Sequence, residues 1–234
     1  MKNGVVTHLA SYVARKRGDV RDKEAWALKD EQLALWEADR RVWSDEVPLN
    51  ADLAASLPLI PVIDDRLVTA TTDGHALYFD ARFSATLDTA SRRYLQAHLL
   101  WHCAFGYLLP DAPDHALWHL AWDHEINSLL LQQGYALPSS SVLFFAKVTR
   151  PANEVYDWLL THPALEQELP TDRLWQECLT SPSSRHARRD ADFRLGTVDR
   201  RLTESWRAHT RMLANDYRCT QHLPIPIAKR LRDL

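Results

Sequence analysis

The chain has 234 residues, a net charge of −3, 46% hydrophobic and 25% charged side chains, ordinary values for a soluble globular protein with a sizeable core. So weak a negative balance excludes a general nucleic-acid binder, which needs a basic face, and no apolar run approaches the roughly 20 residues of a membrane span. Six glycines, and long stretches rich in Ala, Leu, Glu and Arg, point to a mostly helical chain. Cys103, Cys178 and Cys219 are far apart and form no Cys-x-x-Cys pair, and the N-terminus lacks a signal-peptide pattern, so reduced thiols in a cytoplasmic protein are expected.

In chain order, Asp19 to Trp43 reads as an amphipathic helix. Trp26, Leu33, Trp36 and Trp43 form its stripe, Leu28 and Leu35 lie beside it, and charges lie opposite. Pro48 ends that element. Three short β segments follow, Leu59–Ile63, Leu67–Ala70 and Ala76–Phe79, with Asp64-Asp65 and Asp73-Gly74 placed where turns are wanted. A long helix is predicted from Asp88 or Thr89 to Pro110, with Leu95, Phe105 and Leu109 on a buried face. The next runs from Pro113-Asp114 to Gly134, a good residue for a helix end. A short helix is predicted over Pro151–Leu160, an irregular polar excursion over 163–189 and helices over Val198–Arg218 and Pro224–Leu234. The basic run Arg185–Arg189 reads as a solvated loop. The expected organisation is one domain over residues 1–234: a core of about 57–160, an N-terminal helical segment at 1–50 and a C-terminal helical extension at 163–234.

His98 and His102 stand one turn apart on the long helix, so their imidazoles share a face and can hold one divalent ion. The spacing alone proves little, because the chain has 11 histidines and His115 and His119 repeat it. The alternative is a pair of hydrogen-bonded helix histidines. Asp123 adds to the metal reading. It lies mid-helix among Leu120, Ala121, Trp122 and Ile126, where a carboxylate is costly unless paired or bound to metal. Its competing readings are an exposed face, or a partner such as Arg92 or Arg93. In a His-Glu-x-x-His zinc-protease helix, glutamate follows the first histidine and takes a proton from the metal's water; here that position is Leu99.

Several segments in fixed order resemble the bacterial putative metallopeptidase domain that commonly precedes a von Willebrand factor A-like domain. They are Thr71-Thr-Asp-Gly74, Leu77-Tyr-Phe79, His98-x-x-x-His102-Cys-Ala-Phe-Gly106, and Trp118-x-x-Ala121-x-Asp123-x-x-Ile-Asn127. Gly134, Leu137-Pro138 and Glu154-Val-Tyr156 match later segments, and the tail from Trp206 to Arg230 matches less closely. The resemblance covers roughly residues 20–234 and is strongest over 57–160. It implies an α+β, mostly helical, zincin-like fold with a small sheet against the histidine-bearing helix, and zinc held by His98, His102 and Asp123. The departures are Leu99 for the glutamate, Tyr107 for a histidine, His119 for an asparagine and His124 for a tyrosine.

Losing one positioned base typically costs about 10²–10⁴ in rate, so efficient peptide hydrolysis is not expected. The favoured reading is a degenerate peptidase serving as a binding or regulatory component. By the resemblance its partners are an AAA+ ATPase or a von Willebrand A-type protein, the A-type domain being expected to be lost or supplied by another protein because 234 residues leave no room for it. A second reading is an active zinc hydrolase with a relocated base, for which His119 and Tyr107 are the candidates near the site. Glu125 and His124 point away from the Asp123 face by about 200° and about 100°. A third is a metal-free helical interaction module, with the exposed sides of Trp26 and Trp206 as docking anchors. Asn127, one turn after Asp123, reads equally as a hydrogen-bonding partner behind a ligand or as a buried polar residue.

Overall fold

The computed structural model describes residues 20–109, 115–162, 187–218, 220, 223, 225–232 and 234. Cys178, Cys219 and the segment 163–186 lie outside the described residues, as do Pro113-Asp114, where the helix after the histidine-bearing one was expected to start.

Helix α1 spans Val20–Glu46 and α2 spans Pro48–Ala54, with Pro48 starting the second helix directly after the first ends. The inward face of α1 is Lys29, Gln32, Trp36, Asp39 and Trp43, alternating steps of three and four residues that keep one stripe facing the core. Three of those five are polar, contrary to the expectation that the charges lie opposite the stripe, and each has a partner. Lys29 pairs with Asp190 at 3.0 Å and Asp192 at 2.7 Å; Gln32 accepts from Ser84 at 2.7 Å; Asp39 takes Arg92 at 2.8 Å and Arg93 at 3.3 Å. Leu35, expected beside the stripe, is exposed.

The sheet has the order β1-β3-β2, with β1 at Leu59–Val62, β2 at Ala70–Thr72 and β3 at Leu77–Asp80. β3 is central and buried along its whole length, parallel to β1 (Leu59 opposite Leu77) and antiparallel to β2 (Thr72 opposite Leu77). The second strand lies later than the expected Leu67–Ala70, because Leu67 closes a turn on the Asp64 carbonyl. The Thr-Asp-Gly turn between β2 and β3 is held by Asp73. Its carboxylate accepts from the amides of His75, Ala76 and Gly196, at 2.8, 2.9 and 2.6 Å. Gly74 supplies the positive φ of +76°.

After the short α3 (Ala81–Ser84), helix α4 runs over Thr89–Phe105, its N-terminus capped by the Asp88 carboxylate on the Ser91 amide. It does not reach Pro110. Gly106, at φ 66° and ψ 33°, terminates it in the left-handed region, and Leu109 beyond is exposed. The final carbonyls are satisfied from another helix: Arg207 donates to Phe105 O at 3.0 Å and Thr210 to Ala104 O at 2.8 Å. On its other side α4 touches the sheet, where the Cys103 thiol meets the Thr72 hydroxyl at 3.4 Å. Trp36 of α1 stacks on Phe79 of β3 at 4.1 Å, joining the first helix to the same core.

Helix α5 (His115–Gln132) is buried without a break from Leu120 to Leu130, as expected of a helix covered on all sides. It ends in a Gly134 turn, with Tyr135 N donating to Leu130 O at 3.0 Å. Chain 141–151 returns along it, followed by α6 (Ala152–Leu159), then α7 (Arg200–Asp216) and α8 (Ile225–Arg232). Trp206 is buried, its indole donating to Gly74 O at 2.9 Å, so it is a packing residue and no exposed anchor. The protein is therefore α+β and mostly helical, with a small sheet against the histidine-bearing helix. Among the described residues no helix is long and apolar enough to cross a membrane.

Candidate metal centre

His98 and His102 project from one face of α4 onto α5, where Asp123 meets them. The three side chains are sealed from solvent, at 0, 0 and 1% exposure. His98 Nε2 and His102 Nε2 are 3.1 Å apart; Asp123 Oδ1 lies 3.0 Å from His102 Nε2 and 3.4 Å from His98 Nε2. Arg92 and Arg93, the alternative partners for Asp123, are both engaged with Asp39. Burial pushes the Asp123 carboxyl up, but the hydrogen bond from His102, with the His98 imidazole beside it, outweighs it and holds the group down at about 2. An ionised carboxylate and two imidazoles therefore share one dry point in the core.

These spacings fit a single ion. Donors on a tetrahedral zinc with bonds of about 2.0–2.1 Å lie about 3.3 Å apart, close to the three separations observed. Among the described residues these three are the group of metal-ligating side chains that converges.

Behind His98 is a polar cluster. Asn127 Oδ1 lies 3.0 Å from His98 Nδ1 and accepts from the Tyr94 hydroxyl at 2.8 Å; Asn127 Nδ2 donates to Val142 O at 2.9 Å. The Ser141 hydroxyl donates to Tyr94 at 3.0 Å. Of these, Asn127 was legible as one of two alternatives. Tyr94 and Ser141 were missed. Tyr94 carried a usable signal, standing one turn before His98 on the same face, whereas nothing local marks Ser141.

The position of the missing base is filled by hydrocarbon: Leu99 is wholly buried in the main hydrophobic core. The substitutes do not gather at the metal-ligating point. Glu125 is bound by Arg230, by the Tyr107 hydroxyl at 2.5 Å and by the Ala152 amide at 2.6 Å. Tyr107, expected near the site, thus donates into an ion pair between α5 and α8. Burial, and then Glu125, push its hydroxyl well above the ordinary phenol range. His124 accepts from Phe144 N at 3.0 Å and meets Lys147 O at 2.9 Å, fastening the 144–147 turn; burial lowers its pKa. His119 is half-buried, edge-on to Trp122 at 5.2 Å, and is not one of the three converging side chains. Cys103 is inert for another reason, since burial pushes its thiol up to about 12.

Neither a curated protein nor a solved structure matches the chain. A family model described as "putative metallopeptidase domain" matches residues 34–213, well over half the chain and a span that includes His98, Leu99, His102 and Asp123. The chain belongs to the putative metallopeptidase domain family.

Proposed function

We propose that this protein is a metallopeptidase-family domain that holds zinc through His98, His102 and Asp123 but does not cleave peptides efficiently. It would serve as a binding or regulatory component. The observation that carries the reading is the pairing of a convergent donor set with a buried leucine next in sequence to its first histidine. Bound zinc supplies Lewis acidity and one compact positive charge. The chain's own residues supply the rest: two imidazoles fix the ion's direction from α4, and the Asp123 carboxylate neutralises half its charge from α5. No carboxylate besides Asp123 joins that group among the described residues, and Glu125 is committed to Arg230. A metal so placed would tie two helices together in the core.

A zincin-like arrangement and association with an AAA+ ATPase or a von Willebrand A-type protein belong to the same proposal, by resemblance to the family, as does a cytoplasmic location, from the cysteine usage. The test is hydrolysis of casein and of a mixed peptide library by untagged, zinc-loaded protein, with and without chelator. No chelator-sensitive cleavage is expected. Cleavage that disappears in chelator and in His119→Ala would establish a relocated base instead.

A further inference from the structure

Asn127 is fixed at both ends of its amide, and that has a consequence for His98. Val142 O can only accept, so the Asn127 amino group faces it, at 2.9 Å, and the amide oxygen faces the other way. That oxygen takes the single proton of the Tyr94 hydroxyl at 2.8 Å. The Tyr94 hydroxyl is itself the acceptor for Ser141 at 3.0 Å. His98 Nδ1 therefore faces two oxygens, Asn127 Oδ1 at 3.0 Å and Tyr94 Oη at 3.4 Å, neither of which has a proton left to give it. An unprotonated Nδ1 would set lone pair against lone pair in a fully buried site, at a cost comparable to a lost hydrogen bond.

We propose that Asn127, clamped between Val142 and Tyr94, is a positioning residue that forces His98 into the Nδ1–H tautomer and so turns the bare Nε2 lone pair toward His102 and Asp123. The role rests on the metal-site reading for its purpose but not for its truth, because the tautomer exists in the metal-free protein. The direction of every bond in the chain follows from Val142, a residue of the returning 141–151 segment. That segment therefore helps to set which nitrogen of a helix histidine is free to bind. Substituting residues behind a metal-bound imidazole typically costs about 10–100-fold in affinity.

The experiment is long-range ¹H–¹⁵N correlation on histidine-labelled, metal-free protein at pH 8, with the His98 signals assigned by their loss in His98→Ala. Wild type is expected to show His98 protonated at Nδ1, and Asn127→Leu to show Nε2–H or a mixture. Zinc titration is expected to show a 10–100-fold loss in Asn127→Leu. In Asn127→Asp, which keeps an acceptor for Nδ1, affinity stays within a few-fold of wild type. An Nε2–H tautomer in wild type overturns the proposal, as does unchanged zinc affinity in a folded Asn127→Leu. Should Asn127→Leu fail to fold, the wild-type spectrum and Asn127→Asp still decide. If wild type shows the Nδ1–H form yet takes up no zinc, the metal reading fails while the role of Asn127 stands.

Discussion

Replacing Leu99 by glutamate would supply the acid of a His-Glu-x-x-His helix at a position that this fold has filled with hydrocarbon, and the cost follows from burial. Leu99 is 0% exposed. Losing a fully buried leucine costs about 1.5–3 kcal/mol. A glutamate in its place must either ionise in the core or stay neutral. Holding it neutral at pH 7, against an ordinary value near 4.3, costs about 3.7 kcal/mol at about 1.36 per pH unit. The sum, about 5–7 kcal/mol, is a large share of a typical stability of about 5–15 kcal/mol. At about 2–4 °C per kcal/mol for a protein of this size, the metal-free variant should melt about 10–28 °C below wild type. Because the folded-state pKa is raised, the ionisation part of the penalty is absent below about pH 4.3 and grows as pH rises toward the folded value. Thermal unfolding in chelator at pH 5 and pH 7 should therefore show the smaller deficit at pH 5. A variant melting within a few degrees of wild type at pH 7 would show that position 99 is not enclosed by apolar side chains.

Other expectations concern the supports of the site. Gly106→Ala places a methyl group 2.8 Å from Arg207 Nε and 2.9 Å from Thr203 Cγ2 at a φ of +66°. It should lose about 1–3 kcal/mol in urea unfolding, and a neutral result would refute the tight crossing of α4 and α7. Arg230→Ala removes the cation from buried Glu125. Since Arg230 is itself 30% exposed, the loss should be about 2–3 kcal/mol, below the range for fully buried pairs. Depression of the Asp123 carboxyl to about 2 gives stability that is complete above the ordinary value of 3.8 and is lost as pH falls through about 2. In metal-free protein the deficit of Asp123→Asn should accordingly be full at pH 6 and shrink toward pH 2, as read by acid unfolding.

The parts of this fold written in local chemistry were legible. The Asp88 cap, the Asp73-Gly74 turn, the Gly134 helix end and the i, i+4 histidines each act within a few residues of themselves. What was not legible depends on distant partners. The inward polar face of α1 looks solvent-exposed until Asp190, Asp192, Ser84 and Arg92 arrive from elsewhere in the chain to pair with it. The stop of α4 at Gly106 was overlooked in favour of Pro110, although a left-handed glycine backed by Arg207 and Thr210 is sufficient. Tyr107 was expected near the site only through the resemblance. Its hydroxyl answers instead to Glu125 and Arg230, 18 and 123 residues away.

The most direct measurement is the metal content of untagged protein by mass spectrometry, in wild type and in His98→Ala, His102→Ala and Asp123→Ala variants, each checked for folding. About one zinc per chain in wild type, lost in all three folded variants, is the predicted result for a three-donor site. Metal-free wild type that cannot be loaded with zinc, or folded variants that retain the ion, would contradict it.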